Sequence, residues 1–199
     1  MIVLALTGSI GMGKSTTLRM FAEAGCAVWD ADAAVHRLYA PGGEGAAAVA
    51  DLFGEDVLAP DGSVDRAALG QVVLGDEAAL RRLEAAIHPL VGKDRQAFLS
   101  RAEADGAEVA VLDIPLLFET KGEGLADAVV LVTADKAVRR ERVLARPGMT
   151  EGKLARILAR QMPEAERTAR ADHVIRTDAG LDAARARVAD ILAIVQNRH

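Results

Sequence analysis

The amino-acid sequence predicts an α/β protein in which helices cover both faces of a parallel, five-stranded sheet. Short apolar segments alternate with helical patterns along most of the 199 residues, and such segments are typical of strands buried on both faces. The first apolar segment runs directly into a glycine-rich loop, which a helical pattern follows. Together these features predict a three-layer fold of the phosphate-loop (P-loop) class.

The predicted strands and helices follow one another in a regular order. Strands are expected at residues 2–6, 27–30, 109–113, 128–133 and 174–175. Helices of the core are expected at residues 14–24, 136–146, 150–161 and 181–195. Because strand–helix–strand units build parallel sheets, we expect ligands at the carboxyl ends of the strands.

One long stretch without a convincing strand interrupts this order. Between residues 31 and 107 only helical patterns are found, at 33–39, 44–53, 66–74, 77–87 and 90–104. A helix boundary is expected at His88-Pro89, because proline disfavours helix in the residue before it. A segment of this length is too large for a loop. We interpret it as a helical acceptor-binding insertion in a nucleotide-binding core formed by residues 1–30 and 108–199.

The core is expected to carry a small helical lid at about residues 139–162. There the turn at residues 146–150 connects two helical patterns rich in arginine. Closure of such a lid over a triphosphate would exclude water and favour transfer to a bound acceptor over hydrolysis.

The composition limits the classes of partner. Hydrophobic residues make up 51% of the chain and charged residues 27%, as in a globular protein with a core. Aromatic residues are only 3% and the net charge is −5, which argues against nucleic-acid binding. The N-terminal apolar run breaks at Thr7-Gly8, so it predicts neither a signal peptide nor a membrane span. We expect a cytoplasmic enzyme with no obligatory protein partner, in which Cys26 is a small core residue.

Charge is distributed unevenly along the chain. Residues 41–80 contain eight acidic side chains against one base, Arg66, whereas residues 139–170 contain eight arginines and Lys153 against four acids. Phosphate-rich ligands are expected to meet the basic region, and the acidic region is expected to face solvent. About half of the arginines are expected to lie on solvated helix faces instead.

Residues Gly8 to Ser15 match the phosphate-binding pattern G-x-x-x-x-G-K-S/T. The glycines allow a tight turn that presents backbone N–H groups to a diphosphate, and the next helix directs its positive end at the same anion. Lys14 is expected to reach the β- and γ-phosphates of ATP, and the Ser15 hydroxyl to bind Mg²⁺. The nucleotide-binding residues expected in this loop are Gly8, Gly11, Met12, Gly13, Lys14, Ser15 and Thr16.

Three carboxylates at predicted strand ends are candidates for chemistry. Asp30 and Asp32 share a face of an extended chain, so one could accept a hydroxyl proton while the other helps to hold Mg²⁺. One of them could instead cap the next helix. Asp113 could contact Mg²⁺ or the acceptor, or could be only a turn residue.

Other classes of phosphate-loop protein fit less well. A GTPase needs an N-K-x-D motif, and the only asparagine of the chain is Asn197. The D-x-x-G match at residues 51–54 follows a helical pattern rather than a strand, and we treat it as chance. The size favours a small-metabolite kinase. A nucleoside or nucleoside monophosphate kinase and, outside enzymes, a regulatory nucleotide-binding switch are the alternatives.

Several motifs, in order along nearly the whole chain, resemble those of the dephospho-coenzyme A (dephospho-CoA) kinase family. They are the run Leu6 to Thr16, Asp30-Ala31-Asp32, His88-Pro89, Pro115-Leu116-Leu117-Phe118-Glu119, Arg142 with Arg146, Gln161, and Ala171-Asp172-His173-Val174-Ile175. Only the phosphate loop is specific by itself. The Asp-Ala-Asp, His-Pro and Pro-Leu-Leu-x-Glu motifs together make the resemblance specific.

The resemblance implies transfer of the ATP γ-phosphate to the ribose 3′-hydroxyl of dephospho-CoA, with Mg²⁺ as cofactor. It implies that Asp32 is the general base, Asp30 its companion, and that Lys14 and Arg142 are also catalytic. Arg142 and Arg146 match the lid arginines that bind ATP, since a guanidinium binds phosphate oxygens bidentately and stacks on adenine. The substrate-binding residues implied are Asp32, His88, Asp113, Leu116, Leu117 and Glu119.

Two positions depart from the family pattern. The family often has glutamine where this chain has Arg139, and asparagine where it has Thr177. We expect both departures to affect the adenine pocket more than the reaction.

Overall fold

The structure is a computed structural model that describes residues 1–197. Over these residues the chain forms a parallel sheet of five strands in the order β2-β3-β1-β4-β5. The strands are β1 (Ile2–Thr7), β2 (Ala27–Asp30), β3 (Val109–Asp113), β4 (Ala128–Thr133) and β5 (His173–Arg176). The predicted α/β fold with a five-stranded parallel sheet is confirmed.

Helices connect the strands and form the insertion. They are α1 (Lys14–Glu23), α2 (Ala31–Leu38), α3 (Glu44–Phe53), α4 (Arg66–Val73), α5 (Glu77–Ala104), α6 (Lys136–Leu144), α7 (Glu151–Ala159), α8 (Glu164–Arg170) and α9 (Leu181–Gln196). Helix α8 has no counterpart among the predicted helices.

The chain divides into two compact units. Unit 1 comprises Met1–Trp29 and Ala102–His199, and unit 2 comprises Asp30–Arg101. Unit 1 contains the sheet, whose two faces are covered differently. Leu4 and Leu6 of β1 pack with Phe21 of α1 and Ile191 of α9 on one face, while Ala5 packs with Leu117 and Leu131 on the other. This alternation follows from the period of two along a strand.

The register of the sheet brings the end of β3 next to the end of β1. Leu6 of β1 pairs with Asp113 of β3, and Thr7 pairs with Leu131 of β4. Because all strands run parallel, Asp113 lies next to the carboxyl end of β1, where the phosphate loop begins. Cys26, directly before β2, packs against the core, and burial raises the pKa of its thiol to about 11.

Unit 2 is helical and has a hydrophobic core of its own. Val49, Val57, Leu69 and Ile87 are at its centre. All eight acidic residues between positions 41 and 80 are exposed, as the sequence predicted. Two of them cap helices: the carboxylate of Asp65 accepts hydrogen bonds from the N–H groups of residues 67 and 68, and that of Asp76 from those of residues 78 and 79.

The helix boundary predicted at Pro89 is wrong. Helix α5 runs without interruption through His88 and Pro89. Ile87 before the proline and Leu90 after it both belong to the hydrophobic cluster of unit 2, so a break there would remove one of them from the core. The carbonyl of Ala85, which loses its N–H partner to the proline ring, belongs to an exposed residue that water can reach.

No helix within residues 1–197 combines the length and the apolar character that a membrane crossing requires.

Candidate active site

The phosphate loop spans residues 8–13, between β1 and α1. At two of these positions the structure shows why the residue is glycine. A Cβ atom at Gly8 would lie 2.6 Å from the carbonyl oxygen of Val132, so only glycine lets the loop approach β4 this closely. Gly13, the N-cap residue directly before α1, has a φ of 89° in the left-handed region. Other residues are strained in that conformation. Of the remaining loop residues, Gly11 borders a pocket and Met12 is buried.

The first turn of α1 has backbone N–H groups available for an anion. Side chains cap α2, α4, α6 and α7, through Asp30, Asp65, Asp135 and Thr150. No side chain within residues 1–197 caps α1, and its first turn contains no acidic residue. An uncapped helix N-terminus that follows a glycine loop is suited to phosphate binding.

Lys14 forms an ion pair with Asp113 at this edge of the sheet. The Asp113 side chain is 2% exposed and that of Lys14 is 17% exposed. The pairing explains how a carboxylate can remain buried at the end of β3, and it holds the lysine beside the loop. Ser15, one residue further on, is exposed.

Within the described residues, no cluster of three or more His, Cys, Asp and Glu side chains could hold a metal by itself. The Ser15 hydroxyl and the Asp113 carboxylate are hard oxygen donors. Mg²⁺ prefers such donors and usually retains several waters and phosphate oxygens as further ligands. This small donor set therefore fits a magnesium ion that arrives with a nucleotide.

A pocket of about 350 Å³ lies beside the loop within unit 1. Gly11, Gly13 and Thr16 form one side, and Met20, Leu181 and Ala184 contribute an apolar side. Leu181 is 59% exposed although it is a large apolar residue. A partly apolar pocket next to a phosphate-binding helix N-terminus is suited to a flat aromatic base.

The two arginines predicted for the lid border this pocket. Arg142 is half-buried, and Arg146, which lies beyond the end of α6, is exposed. Arg142 donates hydrogen bonds to the hydroxyl and the carbonyl oxygen of Thr177, at 2.8 and 2.9 Å. Thr177 in turn donates to the carbonyl oxygen of Met12 in the phosphate loop, at 2.8 Å.

A second cavity, of about 820 Å³, lies between the ends of β4 and β5 and helices α6 to α8. Four cationic residues line it, against the two acids Asp135 and Glu164; they are Lys136, Arg139, Arg167 and Arg176. The Nε atoms of Arg139 and Arg167 are buried and make no hydrogen bond within residues 1–197. Burial lowers the pKa of Arg167, and Glu164 opposes this effect.

This second cavity borders the phosphate loop. Gln161 lines the cavity, and its side-chain oxygen accepts a hydrogen bond from the Ser9 hydroxyl. The backbone of Arg139 also lies close to the loop, because a Cβ atom at Gly11 would lie 3.1 Å from its carbonyl oxygen. Phosphates bound on the loop would therefore meet a positive potential from this side.

Some residues of the Pro-Leu-Leu-x-Glu motif are buried in the core and others are exposed. Leu117 and Phe118 are buried in the core, and a substrate contact of Leu117 stays a prediction. The Glu119 carboxylate accepts a hydrogen bond from the backbone N–H of Met162, at 2.7 Å. Leu116 is 43% exposed and has a φ of 55°, a strained conformation for a bulky residue.

The remaining predicted site residues belong to unit 2. The Asp30 carboxylate accepts hydrogen bonds from the N–H groups of Asp32 and Ala33, at 2.8 and 3.0 Å, and so caps α2. Asp32 is exposed, and its carboxylate makes no hydrogen bond or ion pair within the described part of the chain. His88 is exposed on α5.

Three residues contact this region in ways that the sequence did not predict. Arg167 and Gln161 lie on a helix and a turn whose path past the loop no local pattern reveals. Thr177 was expected to affect the adenine pocket more than the reaction; it lines the 350 Å³ pocket and also touches the loop and Arg142. One signal could have found it, since a residue directly after β5 lies at the same sheet edge as the phosphate loop.

Comparison with known proteins identifies the family. The family model described as dephospho-CoA kinase matches residues 2–183. A curated dephospho-CoA kinase from Mesorhizobium japonicum is 61% identical over 192 residues, which cover 96% of this chain and 95% of that relative.

Solved structures agree with this result. A protein from Thermus thermophilus superposes with a TM-score of 0.84 and 34% identity, over 97% of this chain and 96% of that one. A dephospho-CoA kinase from Campylobacter jejuni has a TM-score of 0.67 over the same shares, and its 21% identity bears on the fold alone. The family match and the curated relative show that this chain belongs to the dephospho-CoA kinase family.

Proposed function

We propose that the residues around the phosphate loop, together with Asp32, carry out the reaction of this family. Membership makes the chain an ATP-dependent kinase that phosphorylates the ribose 3′-hydroxyl of dephospho-CoA and releases CoA and ADP. The observation that carries the assignment of roles is the ion pair of Lys14 with Asp113, beside an uncapped helix N-terminus.

The proposed donor site lies on unit 1. The N–H groups at the start of α1 would bind the β- and γ-phosphates, with Lys14 placed beside them by Asp113. The adenine would occupy the 350 Å³ pocket that Arg142 and Arg146 border. A guanidinium supports such a site in two ways, because it stacks on a base and forms paired hydrogen bonds with phosphate.

Ser15 and Asp113 are the proposed residues for Mg²⁺. When bound, the ion would neutralise charge on the β- and γ-phosphates as charge shifts during transfer. Asp113 is held in place by Lys14, so the same contact would prepare the lysine and the carboxylate together.

Asp32 is the proposed general base. The carboxylate of Asp30 already binds two backbone N–H groups, whereas that of Asp32 is exposed and makes no hydrogen bond or ion pair in residues 1–197. It would accept the proton of the 3′-hydroxyl as the hydroxyl oxygen forms a bond to the γ-phosphorus. The bond from that phosphorus to the β–γ bridging oxygen breaks, and ADP leaves.

Unit 2 is the proposed acceptor-binding part of the chain, with His88 as a candidate contact. Leu116 of unit 1 is a second candidate, because a strained and exposed leucine at a strand end is suited to an apolar contact. The cytoplasmic location remains a prediction. A nucleoside or nucleoside monophosphate kinase would share the donor site but would require a different acceptor.

A comparison of acceptors tests the proposal. The purified protein with ATP and Mg²⁺ is given dephospho-CoA, adenosine, or AMP, and ADP formation is followed. We expect rapid ADP formation with dephospho-CoA and rates near the acceptor-free background with the other two. Turnover with adenosine or AMP, and none with dephospho-CoA, would contradict the proposal.

A further inference from the structure

The residue that follows β5 connects the nucleotide pocket to the phosphate loop. Thr177 comes directly after Arg176, the last residue of β5. Its backbone N–H continues the sheet pairing by donating to the carbonyl oxygen of Thr133, at 2.9 Å. The residue is thereby fixed to the end of β4, and its hydroxyl and carbonyl oxygen point to partners in two other elements.

The Thr177 hydroxyl has one donor and two acceptors within hydrogen-bonding distance. It lies 2.8 Å from the carbonyl oxygen of Met12 and 2.8 Å from Nη1 of Arg142. A hydroxyl has one proton to donate, and arginine can only donate. The other acceptor, the carbonyl oxygen of Thr133, lies at 3.5 Å. The proton therefore points to the closer oxygen of Met12, and a lone pair accepts from Arg142.

The contact with Met12 sets the direction of a loop amide. The peptide bond between Met12 and Gly13 is trans, so its C=O and N–H point to opposite sides. While the C=O is bound to Thr177, the N–H of Gly13 points away from Thr177. That N–H belongs to the last residue of the loop before α1, where the proposed phosphate site lies.

The contact with Arg142 fixes the guanidinium at two points. Nη1 donates to the Thr177 hydroxyl and Nη2 to the Thr177 carbonyl oxygen, at 2.8 and 2.9 Å. Two parallel hydrogen bonds restrict rotation of the planar group far more than one does. Arg142 borders the 350 Å³ pocket, so its plane is set before a nucleotide arrives.

We infer that Thr177 is a positioning residue for the donor nucleotide, which acts by orienting Arg142 and the Gly13 amide together. The inference rests on the proposed donor site and deepens it. Preorganised donors avoid part of the ordering cost of binding. Loss of the hydroxyl therefore weakens nucleotide binding, although Thr177 itself need not touch the nucleotide.

Packing is the competing explanation for Thr177. Its side-chain methyl group would lie 3.2 Å from a Cβ atom at Gly13, so the residue also fills space next to the loop. Valine retains this shape and removes the hydroxyl, whereas serine retains the hydroxyl and removes the methyl group. The two variants separate hydrogen bonding from packing.

The experiment measures the Kd of ADP by calorimetry for the wild type, Thr177→Val and Thr177→Ser, with Thr177→Ala in parallel. Thr177→Ala lacks the hydroxyl without placing a second methyl group near Met12. We expect the valine and alanine variants to bind ADP roughly 10-fold more weakly and the serine variant to stay within about threefold. ADP binding involves no acceptor, so a wrong acceptor assignment would leave this result intact.

Kinetics and a double-mutant cycle test whether the Thr177 hydroxyl acts on nucleotide binding through Arg142. In Thr177→Val we expect the KM for ATP to rise by a similar factor, while the KM for dephospho-CoA changes less than about twofold. In an Arg142→Ala background the same substitution should weaken ADP binding by less than about threefold, because part of its effect passes through Arg142.

Three outcomes would overturn the inference. The first is wild-type ADP affinity in the valine and alanine variants. The second is a serine variant as impaired as the valine variant, which would indicate packing. The third is an undiminished 10-fold effect in the Arg142→Ala background, which would exclude Arg142 as part of the route.

Discussion

Among single residues, the two carboxylates near the end of β2 have different tasks. Asp30 is committed to the N-terminus of α2, and Asp32 is exposed and unpaired within the described residues. A general base needs a lone pair free to accept a proton. Within residues 1–197 neither oxygen of Asp32 has a partner, whereas Oδ1 of Asp30 accepts both N–H groups at the start of α2.

We predict that Asp32→Asn lowers kcat by roughly 10²-fold or more and leaves the Kd of ATP within about twofold. The amide has nearly the same shape but cannot accept the hydroxyl proton. Steady-state kinetics and calorimetry measure the two quantities. The matched control is Asp105→Asn, an exposed carboxylate of unit 1 in the turn before β3, with wild-type kcat expected. Normal turnover in Asp32→Asn would exclude Asp32 as the base.

Lys14 has both a structural and a chemical task, so its removal should have two separable effects. We predict that Lys14→Ala lowers the free energy of unfolding by about 2 kcal/mol, because Asp113 loses a charged partner while it stays buried. We also predict that kcat falls by roughly 10²-fold or more, because the developing charge on the phosphates is no longer stabilised. Denaturant unfolding and kinetics test the two effects. Unchanged stability would mean that the ion pair does not support Asp113.

Among single residues, the sequence predicted those whose role depends only on neighbouring positions in the chain. The phosphate loop needs only its own pattern, and the cap at Asp30 was weighed as an alternative. The partner of Lys14 and the contacts of Thr177 depend on which strands are neighbours and on their register. Those contacts join residues far apart in sequence, which no local pattern encodes.

At the scale of helices and strands, α5 shows how packing overrides a local preference. Proline removes one backbone hydrogen bond and crowds the preceding turn, and this predicted a boundary at His88. The hydrophobic residues on both sides of Pro89 share one cluster, and burying them outweighs the lost hydrogen bond. The strands were easier to predict, since β2, β3 and β4 have the expected bounds and strands buried on both faces are continuously apolar.

The continuity of α5 through Pro89 predicts a stabilising substitution. Pro89→Ala should raise the free energy of unfolding by about 1–2 kcal/mol, since alanine restores an N–H donor and relieves the crowding, against a smaller gain in the freedom of the unfolded chain. Thermal unfolding measures the effect. Pro60→Ala, in an exposed turn, is the matched control and should give no gain. A lower melting temperature in Pro89→Ala would show that the proline is required where it lies.

On the scale of the whole molecule, charge separates the two parts of the sequence. The acids of residues 41–80 are all exposed, and two of them, Asp65 and Asp76, cap helices. Among the bases of residues 139–170, Arg139 and Arg167 are withdrawn from solvent beside the loop while Arg140, Arg156 and Arg160 are exposed. A count of charges predicts the sign of each region, but burial decides which charges can act on phosphate.

The central claim is that this chain forms a new phosphomonoester on the ribose 3′-carbon of dephospho-CoA. Phosphorus NMR of the reaction with ATP and Mg²⁺ tests it most directly, because it reports where the transferred phosphate resides. We expect a 3′-phosphomonoester resonance that grows together with those of ADP and is at least 10²-fold slower to appear with Asp32→Asn. Phosphate released as the free ion, or attached to another hydroxyl, would contradict the account.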